Sequence, residues 1–240
     1  MNVLAFFYFN PMYFIIVGPA ILLGIFAQAK VKSAYAQGSK HQARSGLSGA
    51  ETAQRILNVY GVANVGIEPV KSFLGDHDDP KNKMLRLSPD VYHGRSLAAL
   101  GIAAHEVGHA IQDAQHYAPL ALRNGLVPMA SVGSQMSMVL IFAGLIMSMF
   151  LGTAIGMTVA IVGLGMFSLV VLFQLVNLPV EFNASSRARA ILLEQGMVTP
   201  QENVIVGKVL NAAAMTYVAA TITALTTLLY YGYIIFGRRN

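Results

Sequence analysis

The chain has 240 residues, of which 55% are hydrophobic and 11% are charged, and its mean hydropathy is +0.56. Soluble domains carry about 25% charged residues, so this composition excludes intrinsic disorder and argues against an ordinary water-soluble enzyme. The absence of Cys excludes disulfides, cysteine-ligated zinc and thiol catalysis. The net charge is +5, but the basic residues lie beside apolar tracts, which indicates contact with membrane lipid and not with nucleic acid.

Three long tracts contain no Asp, Glu, Lys or Arg. A helix needs about 20 apolar residues to cross a bilayer, so the first and last tracts suit one span each and the middle tract suits two. The first tract lacks the basic start of a signal peptide, so we expect it to be a retained span. The uncharged tracts are 1–29, 124–180 and 209–237, and the spans are expected at 3–27, 126–149, 154–177 and 210–235, with a tight turn near 150–153.

The charged residues define two polar segments. All 11 acidic residues and 14 of the 16 basic residues lie in these segments, which two spans separate and which we therefore expect on one side of the membrane. The positive-inside rule places that side in the cytoplasm, although Arg238 and Arg239 argue for the opposite orientation. The predicted organisation is transmembrane helix 1 (1–29), a first polar segment (30–123), a transmembrane hairpin (124–180), a second polar segment (181–208), and transmembrane helix 4 with the tail (209–240).

The two polar segments predict a small α+β domain. Capping residues mark the starts of its helices, and alternating apolar residues between turn signals mark its strands. The predicted elements are a helix capped by Ser48 and Glu51 and ended by Gly61, strands at 65–70 and 84–88 around a turn-rich stretch at 75–82, a helix from Ser96 to about Gln115, a helix from Pro179 to Gly196, and a helix capped by Thr199 and Glu202.

Residues 105–109 read His-Glu-Val-Gly-His, an H-E-x-x-H motif of which chance would supply about 0.004 copies at this composition. On a helix, His105 and His109 share one face, so both imidazoles can reach one metal ion. Zinc lowers the pKa of a bound water towards about 7, and Glu106 is placed to take its proton. The alternative is a polar helix face that only hydrogen-bonds, which the small residues around the motif make less suitable. We therefore predict one catalytic Zn²⁺ per chain.

A catalytic zinc ion requires a third protein ligand. The metzincin continuation is absent, because Gln112 and Gln115 stand where Gly and His are required. Capping positions, a helix exit and a strand account for the other glutamates outside the motif, which leaves Glu181. A carboxylate at the membrane surface is costly unless it is compensated, so we expect Glu181 to bind the metal. The alternatives are that Glu181 stabilises the first turn of a helix and that His116 is the third ligand.

An oxyanion stabiliser is also expected near the zinc ion, and it is usually a His, Tyr or Arg side chain. Five such side chains lie close to the motif in the sequence. Each is more often a structural surface residue, and the sequence favours none of them over the others: Tyr92, His93, His116, Tyr117 and Arg123.

Four stretches carry a resemblance to a known family: LRLSPDVY, SLAALGIAAHEVGHAIQ, YAPLALRN and LPVEFNASSRA. They resemble the YugP-like family of neutral zinc metallopeptidases of bacterial membranes, from about Ser48 to the last span. More distantly, the chain is similar to the HtpX-like and CaaX-processing membrane proteases. The resemblance implies a gluzincin-type site with zinc on His105, His109 and Glu181 and with Glu106 as general base. It also implies proteolysis of membrane-associated or misfolded proteins at the cytoplasmic face of the bacterial inner membrane.

The chain departs from these families at two positions. They usually carry an Asp two or four residues beyond the ligand Glu, where this chain has Asn183 and Ser185. Either side chain can accept a hydrogen bond from an imidazole N–H, but without the charge that raises the basicity of the ligand.

We therefore predict a membrane α-helical protein with about four transmembrane helices and a small α+β zincin-like catalytic domain built from two segments. It is expected to be a zinc endopeptidase that acts on protein or peptide substrates, and its oligomeric state and any regulatory partner are left open. A catalytically silent zinc-binding adaptor or chaperone for another protease is the main alternative. A site-2 type intramembrane protease fits poorly, because charged residues flank the motif closely and no Asp-Gly sequence is present.

Overall fold

The computed structural model describes residues 11–62, 64–71, 75–151 and 154–237. The described part is mostly helical with one small sheet. Its elements in chain order are α1 (Pro11–Ile16), α2 (Gly18–Ser39), α3 (Gly49–Val59), β1 (Gly66–Pro69), β2 (His77–Asp79), β3 (Met84–Leu87), α4 (Pro89–Tyr92), α5 (Leu97–Ala114), α6 (Ala118–Leu151), α7 (Ala154–Glu194) and α8 (Pro200–Gly237).

Three helices within the described ranges are long and apolar enough to cross a membrane, namely α6, α7 and α8. They contain the second, third and fourth predicted spans. The first predicted span stays a prediction, because residues 3–10 lie outside the described residues and the rest of it falls on α1 and α2. Residues 152–153 of the predicted turn and Arg238 and Arg239 also lie outside the described residues.

The chain divides into two compact units. Within the described residues, the span unit comprises the chain up to Phe26, Leu122–Asn177 and the chain from Thr216 on, and the sheet unit comprises Ala27–Ala121 and Leu178–Met215.

In the span unit, α6 and α7 pack at backbone distance. A Cβ built on Gly144 would lie 2.3 Å from the Ala160 nitrogen, and one built on Gly163 would lie 2.7 Å from the Ile141 nitrogen. Small residues allow such close packing of apolar helices, and this contact joins the second and third predicted spans.

The sheet unit has its core between α3, α5 and a three-stranded sheet of order β1-β3-β2. Strand β3 lies in the middle, parallel to β1 and antiparallel to β2. Its Leu85 and Leu87 are fully buried and face the same side, because side chains alternate along a strand. Strand β2 lies in the stretch for which the sequence predicted turns. All three of its residues are polar, so it lacks the alternation of apolar and polar residues that predicts a strand. It is a strand because it pairs with β3.

The predicted caps are present and position the helices of the sheet unit. Ser96 accepts a hydrogen bond from the Ala99 N–H at the start of α5, 3.2 Å away. In both capping boxes the cap side chain accepts from the backbone N–H of the glutamate, and the glutamate side chain accepts from the backbone N–H of the cap. This confirms the structural explanation of two glutamates: Ser48 with Glu51, and Thr199 with Glu202.

One predicted boundary is wrong: Pro179 does not start a helix. It lies inside α7, which runs without a break from Ala154 to Glu194. Val180, Ala184 and Ala188 are fully buried one turn apart, so tertiary packing of this face outweighs the hydrogen bond that the proline removes. Glu181 therefore lies in a helix interior and has no free N–H groups of a helix start beside it, which removes the alternative of a first-turn acid.

Candidate metal centre

Three side chains of the sheet unit converge on one point. His105 and His109 lie one turn apart on α5, with ring centroids 4.8 Å apart and ring planes almost perpendicular. Glu181 projects from α7, and its Oε2 atom lies 3.3 Å from His105 Nε2 and 3.7 Å from His109 Nε2. The ligand atoms of the three residues all lie within 4.8 Å of one another, so this group could hold a metal ion.

The other ring nitrogens contact neutral side chains. His105 Nδ1 lies 3.1 Å from the hydroxyl oxygen of Ser185, which is on α7 one turn beyond Glu181. His109 Nδ1 lies 3.0 Å from the side-chain oxygen of Gln112 on α5. Both Nε2 atoms are thereby turned toward Glu181, as a shared metal ion requires.

The two distances from Glu181 Oε2 to the imidazole nitrogens are close to those between the ligands of a tetrahedral zinc ion. Tetrahedral ligands at zinc–ligand distances of about 2.0–2.2 Å lie roughly 3.3 Å from one another. Glu181 Oε2 is buried and makes no hydrogen bond, although two imidazole nitrogens face it. A buried carboxylate oxygen without a hydrogen bond is costly, and a bound cation would compensate it.

Electrostatics at the site favour positive charge. Burial alone would lower the pKa of His109, but the nearby carboxylates of Glu181 and Glu106 outweigh it and hold the pKa above the ordinary value of histidine. The same two carboxylates would favour a divalent cation. Glu106 is itself buried and is not one of the three converging groups.

A glycine within the motif allows this geometry. A Cβ built on Gly108 would lie 2.9 Å from the carbonyl oxygen of Ala184 and 3.3 Å from its Cα. Only a residue without a side chain lets α5 and α7 approach this closely, and the approach brings Glu181 beside the two imidazoles.

Gly108→Ala should therefore separate α5 from α7 and weaken zinc binding. The added methyl group meets backbone that cannot rotate away, and overpacking of this kind costs about 1–3 kcal/mol. We expect a lower unfolding temperature and a smaller rise of that temperature on addition of zinc. Gly165→Ala is the control, because a Cβ built there has nothing within 4 Å. Equal zinc binding by Gly108→Ala and the parent protein would contradict this account of the close contact.

The remaining predicted site residues lie elsewhere or act differently. His93 is exposed and packs against the ring of Tyr92, and His116 is exposed in a left-handed backbone conformation that ends α5. Arg123 belongs to the span unit. Asn183 has no direct hydrogen bond to either imidazole among the described contacts, and its oxygen accepts instead from Gln112 and Arg187. Gln112 is not among the predicted site residues, because the metzincin pattern requires a glycine at its position, three residues after His109, and no other sequence signal marks it.

The fold and the site define a class of protein: the described part of the chain has three helices suited to a membrane and a His–His–Glu group that could hold a metal ion. Residues 13–236 match a family described as "Putative neutral zinc metallopeptidase", and the chain belongs to this family. A relative from Bacillus subtilis (strain 168), described as "Putative membrane protease YugP", is 43% identical over 223 residues, which cover 92% of this chain and 95% of the relative. No solved structure matches the chain significantly.

Proposed function

We propose that this protein is an integral membrane zinc endopeptidase. His105, His109 and Glu181 hold one zinc ion per chain, and Glu106 is the general base, as in gluzincins. The observation that carries the proposal is the convergence of three ligand atoms on one point, with a second carboxylate, that of Glu106, buried nearby and outside the converging group.

Bound zinc would supply Lewis acidity toward a scissile carbonyl and toward the attacking water. Glu106 takes the proton of that water and passes it to the leaving amine. Ser185 and Gln112 hold the two imidazoles in orientation through their Nδ1 atoms. Burial of Glu106 and His109 keeps bulk water away from the reacting groups.

The proposed substrates are membrane-associated or misfolded proteins, cleaved at the cytoplasmic face of the bacterial inner membrane. The description of the Bacillus subtilis relative as a membrane protease supports a protein substrate. The cytoplasmic placement rests on the Lys and Arg residues that flank the predicted spans.

A zinc-binding adaptor without turnover is the second candidate. It is favoured by one observation, that neutral side chains and not carboxylates contact both Nδ1 atoms. A carboxylate there would raise the basicity of the zinc ligands.

The test is the zinc content and proteolysis of the detergent-purified full chain. We expect about one zinc per chain by mass spectrometry, and release of fluorescent fragments from dye-labelled casein that stops on zinc removal and returns on zinc addition. Zinc without cleavage would favour the adaptor, and a zinc-free chain that still cleaves casein would overturn the metallopeptidase.

A further inference from the structure

A chain of hydrogen bonds leads away from His109 into the contact between α5 and α7. His109 Nδ1 lies 3.0 Å from Gln112 Oε1, and Gln112 is fully buried. The Gln112 amide nitrogen donates to Asn183 Oδ1 at 2.9 Å. The same Asn183 oxygen accepts from Arg187 Nε at 2.7 Å. We name these four side chains the amide relay.

The chemistry of Arg187 sets the direction of every bond in the relay. A guanidinium has donors only, so Asn183 must present its oxygen to it. That oxygen requires a donor from Gln112, whose amide nitrogen also donates to the Val180 carbonyl oxygen at 2.9 Å. Both amide hydrogens of Gln112 are then used, and its oxygen faces His109. The His109 Nδ1 atom must therefore carry the proton.

This protonation state is the one that metal binding requires. A neutral imidazole with its proton on Nδ1 has its lone pair on Nε2. In this structure His109 Nε2 is the nitrogen that faces Glu181. The relay thus selects the tautomer of His109 that points a lone pair at the candidate metal position.

We propose that Gln112 is a positioning residue that, through the amide relay, holds His109 as the Nδ1–H tautomer and so raises the zinc affinity of the site. The inference rests on the proposed function, because it assumes that zinc binds at His109 Nε2. The relay does with neutral amides and a distant guanidinium what a carboxylate does in related sites, where it receives the imidazole proton directly.

The residues at the two ends of the relay also make contacts beyond it. The Gln112 amide holds the Val180 carbonyl, which precedes Glu181 in the chain, so one side chain places a ligand from each helix. At the other end, Arg187 donates to Gln115 Oε1 at 2.6 Å and lies 6.0 Å from the centre of the Tyr117 ring. The relay therefore connects α7 to α5 through Gln112, and it connects α7 to the residues just after α5 through Arg187.

The test compares zinc dissociation constants, measured by chelator competition on the full chain in detergent. Gln112→Met keeps the volume but removes the acceptor of the Nδ1 proton, so its zinc affinity should fall about 10–100-fold. Asn183→Leu should lower the affinity about tenfold, because Gln112 loses the acceptor that orients it. Asn183→Asp keeps an oxygen that accepts from both Gln112 and Arg187, so this variant should bind zinc like the parent protein.

Gln115→Ala is the matched control, because it removes a hydrogen bond to Arg187 that lies outside the relay. It should leave zinc affinity unchanged. The thermal unfolding of each metal-free variant separates loss of folding from loss of affinity. If Gln112→Met does not fold, the contrast between Asn183→Asp and Asn183→Leu decides.

Parent-like zinc affinity in Gln112→Met, or equal affinities in Asn183→Asp and Asn183→Leu, would overturn the relay. Such a result, together with loss of zinc in Glu181→Ala, would leave the proposed metal site standing. A parent protein that binds no zinc would instead overturn the proposed function itself.

Discussion

Glu106→Gln is expected to bind zinc like the parent protein and to cleave casein on the order of 10²–10⁴-fold more slowly. The substitution keeps the shape of the side chain but removes the group that accepts the proton. Glu106 is not among the three converging ligand groups, so metal content should not change. Zinc per chain and the rate of casein cleavage are to be measured on the same preparation.

Asp113→Asn is the matched control for this prediction. It makes the same change from acid to amide on α5, two turns beyond His105. Its cleavage rate should equal that of the parent protein, because its side chain is not part of the converging group. Cleavage by Glu106→Gln at the parental rate would show that Glu106 is not the general base.

Glu181→Ala is expected to lose zinc, with an affinity lower by about 100-fold or more, since even groups that only orient a ligand contribute 10–100-fold. The variant leaves two imidazoles and removes the only carboxylate of the converging group. Removal of a direct ligand should exceed any effect of the amide relay. Zinc content after dialysis against a weak chelator measures the loss.

Glu194→Ala removes the exposed carboxylate at the end of the same helix and should retain full zinc. Loss of zinc in Glu181→Ala alone would show that the ligands come from both polar segments of the sequence. Full retention of zinc in Glu181→Ala would place the third ligand elsewhere, with His116 as the next residue to replace.

Local signals in the sequence predicted the helices of the sheet unit well. Ser96 and the two capping boxes are bonded as expected, because a cap depends on residues three positions apart. The helix start predicted at Pro179 is wrong because proline's preference for that position is also a local signal. The burial of Val180 and Ala184 inside the sheet unit outweighs it. The sequence predicted turns where strand β2 lies, because this segment is a strand only through its pairing with β3.

The sequence by itself determined the apolar tracts and the motif that places two imidazoles one turn apart. Both depend only on residues close together in the chain: the first on stretches without charged residues, the second on the period of a helix. It also directed attention to Glu181, whose role as third ligand stays a prediction. Only the tertiary structure decided which groups contact the ring nitrogens. Gln112 and Asn183 are 71 residues apart in the chain, and Ser185 and His105 are 80 apart. Such partners meet because Gly108 lets two helices approach at backbone distance, and no local preference encodes that contact.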